Sequence, residues 1–173
     1  GKSVEDITLG EGVEKENATV LFCDIRAYTT IAENMTLQEN FDFLNGYLGR
    51  VGPIVTQYGG FVNQYFGDGV MAIFLDSPDA AVQAAMEIQD NIRQFNEVRI
   101  AQQHLPIRVG VGIHTGPLMI GIIGDERRIE AGVVSDTVNT CSRMEGLTKH
   151  YGVYTLVSEC TILAMKDAAQ FEY

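Results

Sequence analysis

The segment that most restricts the fold spans residues 61–74, where two short apolar runs, Phe61-Val62-Asn63-Gln64-Tyr65-Phe66 and Val70-Met71-Ala72-Ile73-Phe74, flank Gly67-Asp68-Gly69. Glycine tolerates the positive φ of tight turns, so these residues predict a β-hairpin with Asp68 at its tip. Upstream, the apolar run at residues 18–23 (Ala-Thr-Val-Leu-Phe-Cys) predicts a fully covered central strand ended by Asp24. A hairpin between long helical stretches calls for antiparallel pairing and disfavours a doubly wound parallel sheet.

Phe41, Leu44, Tyr47, Leu48, Val51 and Val55 recur at helical spacing over residues 37–58. Pro53 is expected to kink or divide that helix, and Gly59-Gly60 to stop it. Ser77-Pro78-Asp79 reads as the start of a second helix, with Ala81, Ala84, Ala85, Ile88, Ile92 and Phe95 as its apolar stripe. Residues 107–115 alternate as a strand and 118–123 follow Gly116-Pro117, which predicts a second hairpin turning there. Ser135-Asp136 can cap a helix carrying Val138, Cys141 and Met144 and ending near Lys149 or His150. Residues 154–157 predict a strand and 158–165 a short helix. The order β-α-β-β-α-β-β-α-β-α predicts an α+β fold, a mixed and mostly antiparallel sheet flanked by helices. With 173 residues, 46% of them hydrophobic, the chain (1–173) suits one domain with a sizeable core.

Asp24 and Asp68 each stand at the end or turn of an otherwise apolar strand. A carboxylate flanked by buried residues is costly unless paired or metal-bound, and magnesium on phosphates takes only one or two protein carboxylates. If the two strands are neighbours, the carboxylates converge and can hold two ions about 3.5–4 Å apart for phosphoryl chemistry. The alternative is that Asp24 caps a helix and Asp68 shapes a turn. Residues 25–29, including Ile25, Ala27, Tyr28 and Thr29, mark the passage from strand to helix and offer backbone N–H donors to phosphate. Asn139 and Arg143, at i and i+4, share a helix face suited to steadying a transferring phosphoryl group, the alternative being a solvated face. His114 reads as a strand residue satisfied locally.

The net charge of −11 and a pI near 4.6, without a basic cluster, argue against nucleic acid as partner. A bound metal can still reverse the local field for a small polyanion. Cys23, Cys141 and Cys160 lack the number and spacing of a disulfide framework or a zinc site, so reduced thiols in a cytoplasmic setting are expected. No stretch approaches the roughly 18 uninterrupted apolar residues of a membrane helix, so no membrane contact is expected within the chain. The start at Gly1 and the stop at Tyr173 read as a piece cut from a longer protein, with a sensor or regulatory domain attached.

Four motifs then fall in order: Phe22-x-Asp24-Ile25-x-x-Tyr28-Thr29, Gly67-Asp68-x-x-Met71-Ala72, Gly110-x-Gly112-Ile113-His114-x-Gly116 and Asp136-Thr137-Val138-Asn139-x-x-x-Arg143. Together they resemble the catalytic domain of class III nucleotidyl cyclases, over about residues 17–161. The resemblance implies a ferredoxin-like palm that acts as a head-to-tail homodimer with active sites at the subunit interface. One subunit would supply the metal set Asp24, Ile25 and Asp68 for two Mg²⁺ or Mn²⁺ ions, with Ala27, Tyr28 and Thr29 on the substrate side. The other would supply Asn139 to orient the ribose and Arg143 to stabilise the transition state. The implied reaction is attack of the ribose 3′-hydroxyl on the α-phosphorus, releasing pyrophosphate and closing a 3′,5′-cyclic ring. Two-metal chemistry of this kind needs no protein general base.

Two positions depart from the family, and both concern the base. Adenylate-type members carry Lys where Gln64 stands and Asp or Thr where Gly132 stands; guanylate-type members favour Glu and then Cys or another small residue. The Gln64 amide can serve either purine, and Gly132 offers only backbone. The resemblance therefore implies weak base selectivity, leaning to ATP with GTP as the runner-up. Ser135 and Cys141 replace the usual Gly and Ala, small for small. The family's last hairpin, with its triphosphate lysine, would follow Tyr173. A cyclase homology domain that binds nucleotide and signals through dimer contacts is the competing reading. A diguanylate cyclase or polymerase palm is disfavoured, because no Gly-Gly-Asp/Glu-Glu-Phe hairpin is present.

Overall fold

The computed structural model describes residues 12–122, 129–131 and 136–171. Gly132 and Ser135 lie outside the described residues. Among these, six strands form one sheet: β1 (Gly12–Ile25), β2 (Phe61–Phe66), β3 (Gly69–Phe74), β4 (Val109–Ile122), β5 (Ile129–Ala131) and β6 (Thr155–Val157). The order is β2-β3-β1-β4-β5, with β6 parallel to β4 and every other pair antiparallel. Between the strands run α1 (Tyr28–Ala32), α2 (Leu37–Gln57), α3 (Pro78–Ala101), α4 (Asp136–Tyr151) and α5 (Glu159–Ala164). The expected ferredoxin-like α+β fold is realised, with β1-α2-β2-β3-α3-β4 as its core.

Because side chains alternate across a strand, β1 feeds two cores at once. Leu21, Cys23 and Ile25 pack with Tyr47, Val51, Ile88 and Ile92 of α2 and α3. Ala18 and Val20 pack on the opposite face with Ile73, Leu118, Ile120 and Cys141 of α4. Each fully buried Leu or Ile here contributes about 1.5–3 kcal/mol relative to exposure. The helix starts follow their signals: Thr36 and Glu39 form a capping box on α2, Ser77 caps α3 ahead of Pro78, and Ser158 caps α5.

Three expectations are corrected. There is no turn at Gly116-Pro117; β4 is one continuous 14-residue strand through it, and its hairpin partner is β5. Pro117 has no N–H for the ladder, and the β1–β4 register shifts opposite it, between Lys15 and Ala18, so the bulge absorbs the missing donor. Pro53 does not divide α2, which runs unbroken with Pro53 in its last turns. The carbonyl four residues back belongs to Gly49, and both residues are exposed, so water can take the freed acceptor. One helix was expected after β1 and two are found, because Ala27 adopts φ 54° and starts the separate α1.

The second layer, α4 on β4, is unusually close. A Cβ on Gly112 would lie 2.5 Å from the Glu145 backbone nitrogen and 2.9 Å from the Cys141 carbonyl oxygen. Only glycine admits the helix at this distance.

Candidate active site

Asp24 is the next-to-last residue of β1, opposite Gly110 of β4, and Asp68 occupies the tight turn between β2 and β3. Since β1 pairs with β3 up to Cys23 opposite Val70, the hairpin tip meets the end of β1. There the Ile25 backbone N–H donates to Asp68 Oδ2 at 3.0 Å. Both carboxylates line one cleft of about 330 Å³, together with Phe22, Phe66, Asn139, Ser142 and Glu145. A larger groove of about 900 Å³ between α2 and β2 carries no carboxylate, histidine or cysteine, and so offers no comparable chemistry.

The cleft is electrostatically loaded. Burial pushes the Asp68 carboxyl above its usual range and the charge of Asp24 adds to this, against the backbone N–H of Ile25 and its own. Burial, followed by hydrogen bonding to Asp24 and the charge of Asp24, pushes the Glu145 carboxyl up to about 8. Asp24 Oδ1 and Glu145 Oε1 are buried and accept from no N–H or hydroxyl group among the described residues, so the only hydrogen bond open to them is one between the two carboxyl groups.

Among the described residues no three His, Cys, Asp or Glu side chains form a ready cage for an ion. A hard divalent cation bound jointly with phosphate needs only one or two carboxylates, and the orphaned Asp24 oxygen beside Asp68 fits that demand. Ile25 can join only through its carbonyl, because its N–H is committed to Asp68 and its side chain is apolar. The expectation that Ile25 would offer its N–H to phosphate is thereby corrected.

Ala27, Tyr28 and Thr29 are not among the residues lining the cleft. The Tyr28 hydroxyl donates to Asn40 Oδ1 at 2.5 Å and its ring stacks on Phe43 at 6.4 Å between centroids, which ties α1 to α2. Gln64 is exposed on the edge strand β2, opposite Met71, and outside the cleft lining. Asn139 lines the cleft while Arg143 does not. At about 100° per residue, Ser142 falls roughly 60° to one side of Asn139 and Arg143 roughly 40° to the other, so Arg143 passes the rim and is exposed. His114 accepts or donates through Nδ1 to Ser158 Oγ at 2.8 Å, and burial pushes its pKa down. It is satisfied away from the cleft, as its place in a strand led one to expect. All three cysteines are free thiols.

Glu145 escaped the sequence reading, although a signal for it exists. The buried positions of α4 are Thr137, Cys141, Glu145 and Thr148, a stripe at helical spacing, and Glu145 is the one charged residue in it.

The model of the adenylate and guanylate cyclase catalytic domain matches residues 12–173. The chain belongs to this family. It is 42% identical over 166 residues to an adenylate cyclase of Anabaena cylindrica, covering 93% of this chain and 33% of the relative. An adenylate cyclase of Dictyostelium discoideum, terminal-differentiation specific, is 36% identical over 94% of this chain and 8% of the relative. Among solved structures, the guanylyl cyclase Cya2 superposes with a TM-score of 0.77 at 29% identity, covering 92% of this chain and 82% of that one. The adenylyl cyclase CyaB from P. aeruginosa gives 0.78 at 28%, covering 91% and 83%. This cyclase domain thus spans a third or less of the length of the curated relatives it matches. Among its described residues no helix is long and apolar enough to cross a membrane.

Proposed function

We propose that this domain converts a purine nucleoside triphosphate, with ATP favoured, to the 3′,5′-cyclic monophosphate and pyrophosphate, acting as a homodimer. The observation that carries the reading is the convergence of Asp24 and Asp68 on one cleft, tied together by the Ile25–Asp68 hydrogen bond. A pair of Mg²⁺ or Mn²⁺ ions bound there would acidify the 3′-hydroxyl and neutralise the triphosphate. The 3′-hydroxyl loses its proton to solvent water, the new bond joins O3′ to the α-phosphorus, the bond from the α-phosphorus to the bridging oxygen breaks, and pyrophosphate departs with the electron pair.

Asp24 and Asp68 would hold the cations, and the Ile25 carbonyl could add a further oxygen. Asn139, whose amide both donates and accepts, suits the ribose. Arg143 suits the phosphates, where a guanidinium can grip two oxygens at once. Its exposure, beyond the rim of its own cleft, supports action across a two-fold axis on the cleft of a second copy.

The ATP preference rests on relatives named adenylate cyclases, while Gln64 leaves either purine readable. GTP is the second reading, favoured by the likeness to guanylyl cyclase structures. Cyclic product is measured from ATP and from GTP at matched concentrations, with Mg²⁺ or Mn²⁺, in the natural sequence and in Asp68→Ala. Product that vanishes in the variant supports the cyclase; tight nucleotide binding without product points to a signalling homology domain; a strong GTP preference reverses the base assignment.

A further inference from the structure

Glu145 is 8% exposed and lines the cleft together with Asp24 and Asp68. Its Oε1 accepts from no N–H or hydroxyl group among the described residues, and neither does Asp24 Oδ1. Burying a carboxyl with an unfilled acceptor is expensive, so as mere filling for α4 a Leu or Met of similar size is the better choice. The sheet has also been shaped around it. A Cβ on Gly110, the residue opposite Asp24, would stand 2.6 Å from Glu145 Oε1 and 2.8 Å from Thr148 Oγ1. The space that lets Glu145 reach Asp24 exists because β4 carries glycine there.

We propose that Glu145 is a positioning residue of the cation site: from α4 it fixes the Asp24 carboxyl at the floor of the cleft and so sets the affinity of Asp24 and Asp68 for a divalent cation. Glu145 acts through Asp24 and not as a ligand, in keeping with the lack of a three-residue cage among the described residues. Groups that orient a metal-binding side chain typically change affinity by about 10–100-fold when removed. The helix that bears Asn139 thereby also braces the cation site, so one element serves both halves of the chemistry. This inference rests on the cation-site reading above and asks more of it.

The test is direct Mn²⁺ binding to the intact domain, by calorimetry or by loss of the free-ion electron paramagnetic resonance signal, without turnover. The variants are Glu145→Ala, Glu145→Gln and Asp68→Ala, each with a metal-free melting curve. Glu145→Ala is expected to weaken Mn²⁺ binding about 10–100-fold. Glu145→Gln keeps the shape and gives Asp24 an amide donor, so it should recover binding to within a few-fold of the natural protein while melting no lower. Cyclase assays should then place the Glu145→Ala defect in the metal half-saturation more than in kcat. Natural affinity in a folded Glu145→Ala overturns the proposal, as does a folded Glu145→Gln as weak as the Ala variant. If the natural protein and Asp68→Ala fail alike to take up Mn²⁺, the cation-site reading itself falls, and this inference with it.

Discussion

The backbone N–H of Ile25 is hydrogen-bonded to the carboxylate of Asp68, 43 residues further along the chain, at 3.0 Å. That bond joins the end of the central strand to the tip of the hairpin and gives Asp68 two duties. Asp68→Asn keeps an acceptor for Ile25 but loses charge. The variant should therefore melt near the natural temperature yet lose cyclase activity by about 10²-fold or more, the equivalent of about 3 kcal/mol or more of transition-state stabilisation. Parallel melting curves and initial rates check both halves.

Arg143, exposed and beyond the rim of its own cleft, should be replaceable in trans. Asp24→Ala and Arg143→Ala, each inactive alone, are expected to complement when co-expressed. Random pairing gives half heterodimers with one intact site in two, hence about a quarter of the natural activity. An inactive mixture that still contains heterodimers rules out the shared site.

Gln64 is predicted to hold the base preference open. Gln64→Lys should move the ratio of kcat/KM toward ATP and Gln64→Glu toward GTP, each by about 1–3 kcal/mol, the worth of one well-made base contact. Competition between the two triphosphates in one assay reads the ratio directly.

Stability of the metal-free domain should fall as pH rises from the ordinary carboxylate range to about 8. In that window folded Glu145, with its pKa near 8 against a usual 4.5, still carries a proton that the unfolded chain has released. The folded state therefore gains on acidification and loses on alkalinisation. Asp79 behaves oppositely: burial pulls its carboxyl up, but the N–H groups of Lys166 and Asp167 outweigh it and hold it below its usual range. Its contribution is present above the usual 3.8 and is lost as pH falls through its lower folded value. Urea titrations in chelator across pH 5–8 should show the first trend, and Glu145→Gln should flatten it.

Gly112→Ala should destabilise the domain by about 1–3 kcal/mol, because the new methyl meets backbone atoms of Glu145 and Cys141. Those atoms can retreat only if the whole helix lifts. Denaturant melts measure the loss.

Much of the fold is legible in local chemistry. Glycines at 67 and 69 announced the hairpin that presents Asp68, and Ser77-Pro78 announced α3. Relationships between distant segments stayed hidden. Pro117 reads as a turn until the register shift between Lys15 and Ala18, on another strand, is known to absorb it. Pro53 reads as a break until exposed Gly49 is seen one turn before it. Asp24 and Asp68 share one cleft, as their places at the end of one strand and the tip of the neighbouring hairpin predict; Asn139 lines that cleft in its own chain, whereas the resemblance implies that it faces the cations of a second copy. Glu145 was not singled out, since its meaning depends on what faces α4.

The pairing of β1 with β4 also bears on how the polypeptide is made. Thr19 bonds to Thr115 across 96 positions, so until β4 has been made and released, the first strand has at least one open side. During that interval its apolar run presents an unpaired edge that another nascent chain can capture.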